Sequence, residues 1–331
     1  MKFYEDSNSV ERYRFRRIFH KKNLVKAILL LLAATLLAGY LYENYEAKQH
    51  LDAYTGNTIT VNQVTYNYQV VGSGDYTVIV DGAAGESDLS RQKLVEAFDG
   101  KARLFFYDRP GYGGTKGDYK TPKEVAEDLH FIFRRFGWKM EFILMGEEYG
   151  SLVMQEYLHL YPDEVLGAVF LNPMGEALGS EEMARYEGIH TASFPSKEGL
   201  GLFGIPRALQ NAGILDFFDH VDLPEEEKNM YANLRLSKDF MAALKTEYQY
   251  MTAGEPLPVK SMLLQDKPFA LVTTKLSEER YSQDKYLSYS SDASVFYVQD
   301  SVRDILLERP KDVAPVLYTV VDKVIRSGYK K

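Results

Sequence analysis

Residues 142–173 read FILMGEEYGSLVMQEYLHLYPDEVLGAVFLNP. A short apolar run, FILM, stops at Gly146. A glycine-bounded turn, Gly146-Glu147-Glu148-Tyr149-Gly150, leads into an amphipathic stretch that ends before Pro162. A second apolar run, GAVFL, stops at Asn172-Pro173. Short, wholly apolar runs suit strands covered on both faces. A strand, a helix and a second such strand predict a parallel pair with a right-handed crossover.

The same rhythm continues outward in both directions. Strands are predicted at 58–61 and 65–71 as a hairpin, then at 77–80, 102–107, 141–145, 167–171, 269–273 and 294–298. Helices are predicted at 121–136, 148–161 and 310–326. The first opens with Thr121, Pro122 and Glu124, a capping box with proline at its first helical position. Between 174 and 267 the chain turns helix-rich and charged, which reads as a helical lid inserted between two strands. The core is thus expected in 58–173 and 268–331.

The N-terminal part has a different character. Residues 24–42 read LVKAILLLLAATLLAGYLY, with Lys26 the one charge. The uncharged run 27–42 would span about 24 Å as a helix against a hydrocarbon core of roughly 30 Å, and residues 24–26 close the gap. Bulky Tyr40, Leu41 and Tyr42 fill most positions where a signal-peptide cleavage site needs small residues, so a retained anchor is expected. Residues 1–26 hold eight Lys or Arg against three acids. The positive-inside rule then places tail 1–23 in the cytoplasm and the rest beyond a single-pass span at 24–42, with 43–57 read as a polar stalk.

The 331 residues carry a net charge of −8, and the +5 of residues 1–26 leaves −13 for the remainder. An acidic globular part argues against nucleic acid as a partner. The chain has no Cys, which excludes disulfides, a thiolate nucleophile and cysteine zinc sites. No cofactor and no metal site is expected. Asp81, Glu147 and Glu148 lack a recognised ligand spacing.

Four segments resemble the α/β-hydrolase fold family, in its lidded, prolyl-aminopeptidase-like and esterase-like branch: VIVDGAAGES (78–87), FFYDRPGYGGT (105–115), the stretch quoted first, and SSDASVFYVQDSVRDILLERPKDV (290–313). Their order and spacing imply that fold over about 58–327. The resemblance makes 146–150 the nucleophile elbow, Gly-x-Ser-x-Gly in the family. It makes Gly82 and its neighbours the oxyanion loop, with Asp81 where the family has His. The pocket candidates are then Asp81, Gly82, Ala83 and Tyr149, and the elbow glycines are Gly146 and Gly150.

The chemistry departs from the family. Glu148 stands at the serine position. Counting back seven residues from Pro310 puts Arg303 at the histidine position. No acid closes strand 269–273, leaving Glu278, Glu279 and Asp284 as substitutes. A serine needs a base to take its proton, and arginine cannot serve as one. Ser151, one turn into the helix, should point away from the pocket mouth. Of the six histidines (His20, His50, His130, His159, His190 and His220), none follows the last strand, and only His190 and His220 fall in the lid.

Three functions are weighed on this basis. The first is a membrane-anchored pseudo-hydrolase that binds a small ligand or a protein, with Glu148 and Arg303 forming an ion pair where Ser and His would meet. The second is an active hydrolase of esters, amides or peptides with rearranged groups. The third is a structural partner of membrane proteins. Asp108 and Arg109 are expected to fix the turn after their strand.

Overall fold

The computed structural model describes residues 21–53, 56–85, 88–174, 198–214, 232–233, 235–253, 257–280, 283–299 and 305–328. Helix α1 (Lys21–Ala53) precedes strands β1 (Asn57–Val61), β2 (Val64–Gly72) and β3 (Tyr76–Asp81). Helix α2 (Asp88–Ala97), β4 (Ala102–Tyr107), α3 (Pro122–Phe136), β5 (Phe142–Glu147), α4 (Tyr149–Leu160) and β6 (Val165–Leu171) follow. Helices α5 (Glu198–Leu202), α6 (Ile205–Asn211) and α7 (Lys238–Ala253) come next. The chain closes with β7 (Phe269–Thr273), α8 (Lys275–Arg280), β8 (Ala293–Tyr297), α9 (Ile305–Glu308) and α10 (Pro310–Ser327).

The eight strands form one sheet in the order β1-β2-β4-β3-β5-β6-β7-β8. β1, β2 and β4 pair antiparallel, and every pairing from β4 through β3 to β8 is parallel. The hairpin β1–β2 turns on Asn62 and Gln63, both at positive φ, the geometry that matches strand twist. Strands β3, β5, β6 and β7 are buried at every residue, as continuous apolar runs in a covered parallel sheet should be.

Each face of the sheet has its own apolar layer. Leu129, Ile132 and Phe133 of α3 and Val153 and Tyr157 of α4 cover one face. Leu94 of α2 and Leu317, Val320, Val321 and Val324 of α10 cover the other. Each such side chain contributes about 1.5–3 kcal/mol when fully buried. Helix α3 starts where its capping box predicts: the Glu124 amide donates to Thr121 Oγ1 and the Thr121 amide donates to Glu124. It ends at Gly137 in the left-handed region.

Segment 174–267 joins the adjacent parallel strands β6 and β7 and carries helices α5, α6 and α7. The stalk reading changes. Residues 43–53 continue α1 without a break, and only three residues separate the helix from β1. Instead of standing free, this end of α1 is gripped by α6. Arg207 donates from Nε to Glu43 Oε2 at 2.8 Å and from Nη2 to Oε1 at 3.0 Å, with both side chains fully buried. Local polarity suggested solvent exposure, whereas a distant arginine satisfies the carboxylate. Helix α2 also has no counterpart among the predicted helices. Residues 22–46 lie in a helix whose most apolar 18-residue stretch has a mean hydropathy of 2.2, long and apolar enough to cross a membrane.

Candidate functional site

The site is built where β3 and β5 end side by side. Asp81 pairs in register with Gly146, and the Gly150 amide donates to the Gly82 carbonyl at 3.0 Å. A side chain at Gly150 would collide with the Asp81 carbonyl, and one at Gly146 would lie 2.7 Å from the Ser151 Cα. Both glycines are therefore required for the chain to turn this tightly. Between them Glu148 has φ 45° and ψ −108°, outside the regions open to ordinary L-residues. Such a conformation costs about 1–3 kcal/mol and persists only when its surroundings impose it. Glu148 is buried and stands at the N-cap of α4 without making a side-chain cap bond.

Ser151 is fully buried. Its hydroxyl donates to the Glu148 carbonyl at 2.5 Å and accepts from the Met174 amide at 3.0 Å. It faces the interior and has no path to a substrate. Glu147 is turned the other way, accepting from the amides of Ile305 and Leu306 at the start of α9. That bond ties the elbow to the segment where the family carries its histidine. Arg303 lies outside the described residues, as do His190 and His220. His130 stacks on Tyr161 at 4.0 Å and contacts Glu164, and His159 engages the Gln155 and Pro258 carbonyls. Both serve structure.

The acid substitutes all follow the end of β7. Thr273 and Thr274 close β7. Exposed Glu278 accepts from Tyr297 on the edge strand at 2.7 Å, and Asp284 begins a 3-10 turn. Glu279 lies in α8.

The dominant feature is Arg109, whose role differs from the expected one. Asp108 does fix the turn: it accepts from Arg91 at 2.7 Å, from Asn67 at 2.9 Å and from the Gly114 amide at 3.3 Å. Arg109 instead enters the oxyanion loop. Its guanidinium pairs with Asp81 and donates to the Gly82 carbonyl at 3.0 Å and the Ala83 carbonyl at 2.8 Å. From its other edge it donates to Glu247 of α7 at 2.6 and 3.2 Å. It also lies 5.0 Å from the Tyr149 ring centroid and 5.5 Å from that of Tyr112. Asp81, Gly82, Ala83 and Tyr149 thus all contact Arg109, which follows the end of β4. Motif reading gave Arg109 only a turn role and missed Glu247, because their partnership joins residues 138 apart.

The cluster holds two carboxylates and one guanidinium in a dry site. Burial pushes the Glu247 carboxyl above its ordinary value, against the pull of Arg109, and Asp81 adds to the rise. Burial and the adjoining carboxylates hold the Tyr107 and Tyr112 phenols well above their usual range. These phenols therefore stay protonated and donate, Tyr107 to Asp81 at 2.5 Å and Tyr112 to Glu247 at 2.8 Å.

A pH dependence follows for Glu247. Its folded state binds the proton more tightly than the unfolded chain does. Its stabilising contribution is complete below the unfolded value near 4.5 and is lost as pH rises through the raised one. Urea titrations across that interval should show stability falling with pH, and Glu247→Gln should flatten the slope. An unchanged slope would mean that Glu247 titrates normally.

Beside the cluster lies a cleft of about 270 Å³, bounded by Arg109, Tyr119, Lys120, Tyr149, Glu247 and Tyr250 among others. It is at the small end for a ligand site, where volumes of roughly 300–1,000 Å³ are usual.

Comparison with known proteins agrees with this geometry. A family model described as alpha/beta hydrolase fold matches residues 78–198. A membrane phospholipase A structure superposes with a TM-score of 0.60 at 17% identity, covering 92% of this chain and 99% of the other. A thermophilic esterase from Thermogutta terrifontis gives 0.57 at 14% identity over 82% and 99%. The alpha/beta hydrolase MGS-M2, from a Medee basin deep-sea metagenome, gives 0.60 at 14% over 80% and 97%. At these identities the likeness speaks to fold alone. A local similarity, 24% identical over 110 residues, links 31% of the chain to 16% of the length of a Hormonema carpetanum protein named probable transporter efuK. Strand order, a strained glycine-bounded elbow after β5 and these matches show that the chain has the α/β-hydrolase fold.

Proposed function

We propose that this is a membrane-anchored pseudo-hydrolase: it keeps the hydrolase scaffold and acts by binding a ligand or protein partner. One observation carries the reading. Arg109 fills the oxyanion loop next to an elbow that presents Glu148 where the family presents serine. Transition-state stabilisation in this fold needs donors aimed at a developing oxyanion. Here Arg109 is itself neutralised by Asp81 and Glu247 and bound to the carbonyls of the loop. With Ser151 buried, the described residues around the elbow offer no activated hydroxyl.

Helix α1 is the anchor in this reading. The basic tail favours a cytoplasmic N-terminus with the domain on the opposite side. Cleavage after the apolar run would sever Glu43 from the span that holds it in place, so the Glu43–Arg207 pair favours retention over removal of the segment.

One observation favours a second reading. The strained backbone at Glu148 is what a nucleophile elbow requires, and a carboxylate there could attack as some nucleophiles do, forming an ester. Purified protein in detergent, treated with a fluorophosphonate and a panel of acyl esters, distinguishes the two. The pseudo-hydrolase reading expects no labelling and no turnover above buffer, in the native protein and in Glu148→Gln alike. Ester turnover that Glu148→Gln abolishes would overturn it in favour of the carboxylate nucleophile.

A further inference from the structure

Contacts between α1 and the helices of 198–214 are unusually deep along the anchor. Gly39 lies inside the apolar span, three residues before its end at Tyr42, or about 5 Å along the axis. A side chain at Gly39 would collide with the Phe203 carbonyl, so the α5–α6 junction lies directly against the span. Gly204 makes the reciprocal approach. It is in the left-handed region, and a Cβ there would lie 3.2 Å from the Gly39 carbonyl oxygen and from Glu43 Cβ.

Further contacts line the same side of α1 toward the domain. The Asn211 side chain donates to Tyr42 Oη at 3.0 Å, and Lys238 Nζ donates to Asn44 at 3.0 Å while lying 5.8 Å from the Tyr40 ring centroid. With the buried Glu43–Arg207 pair at their centre, they hold α5 and α6 at a defined height on the anchor. The surfaces these helices leave open are apolar. Leu200 and Leu202 of α5 are more than a third exposed, and Ile214 just beyond α6 is 67% exposed. Leu41 on the span is 60% exposed.

We propose that α5, α6 and the turn at Ile214 form a membrane-seated face, with the lipid headgroup–acyl boundary as its occupant. The proposal rests on the membrane-anchor reading. Its carrying observation is that backbone in contact with Gly39 must lie at the depth of the span's outer end. Exposed leucines and isoleucine at that depth gain by entering the boundary, as the apolar face of an interfacial helix does. Lys238, at the start of α7, would place its ammonium at headgroup level beside Tyr40, an arrangement typical of interfaces. Because Glu247 of α7 holds Arg109, the seated face is connected to the occupied oxyanion loop through a single helix.

The native absence of cysteine makes the test direct. Single-cysteine variants of the full chain at Leu31, Leu202, Ile214 and Tyr318 would be labelled with an environment-sensitive fluorophore. They would then be reconstituted in vesicles of phosphatidylcholine and phosphatidylglycerol carrying a headgroup-proximal nitroxide lipid. Labels at Leu202 and Ile214 should be quenched about threefold more than the label on the exposed face of α10 at Tyr318. The Leu31 label should respond to a deep acyl-chain nitroxide. Quenching at Leu202 and Ile214 no greater than at Tyr318, with Leu31 still in lipid, would overturn the seated face and leave the anchor standing. A Leu31 label that stays aqueous would overturn both.

Discussion

Replacing Arg109 by Met is expected to destabilise the domain by about 3–5 kcal/mol, the range found when one partner of a buried ion pair is removed. The substitution nearly conserves apolar bulk, so loss of volume is a minor part of the effect. It leaves Asp81 and Glu247 facing each other without their cation and withdraws donors from the Gly82 and Ala83 carbonyls. Chemical denaturation by urea would read the loss as a lower midpoint with an unchanged slope. Arg109→Lys should recover little, because a point charge cannot reproduce a planar fork that spans two carboxylates and two carbonyls. The triple variant Arg109→Met, Asp81→Leu, Glu247→Leu should recover most of the stability, since an apolar replacement of a whole buried ion cluster is often neutral or better. A single Arg109→Met variant within about 1 kcal/mol of the native protein would show that the cluster does not hold the loop.

The second large effect is expected at the other buried pair. Among the described residues, Glu43→Ala leaves the fully buried Arg207 guanidinium with the Asn233 carbonyl and side chain as acceptors, at 3.0 and 3.2 Å. The cost should again be about 3–5 kcal/mol. Its location should differ from that of Arg109. Because the pair joins α1 to α6, the loss should appear as faster amide exchange across α5, α6 and α7, while β3, β5 and β6 stay protected. Reconstituted full-length protein compared by hydrogen–deuterium exchange would show this. The double variant Glu43→Leu, Arg207→Met should restore protection. Equal exchange in Glu43→Ala and native protein would mean that the pair contributes nothing to docking.

Both predictions concern contacts absent from any local pattern, and this marks how far the sequence could be read. The strands were legible because each is a continuous apolar run with a polar or glycine stop, and a covered parallel strand requires no less. Helix α3 was legible from Thr121, Pro122 and Glu124, whose capping geometry is local. The elbow was legible because Gly146 and Gly150 occupy the two positions where a Cβ would strike backbone. Helix α2 was harder, since Asp88–Ala97 presents few apolar residues over a short length. The stalk was misread because Glu43 looks polar by itself.

By itself, then, the sequence determined the strand–helix rhythm, the fold, the apolar N-terminal helix and the glycine-bounded turn around Glu148. Each depends on residues within a turn or two of one another, where sterics and hydrophobic periodicity act directly. Only the tertiary structure decided that Arg109 grips the loop after β3 and that Glu43 is buried against the helices between β6 and β7. Those outcomes depend on Glu247 and Arg207, 138 and 164 residues away from their partners. A buried charge must find its counterion wherever the fold brings one, and nothing in the local sequence says where that will be.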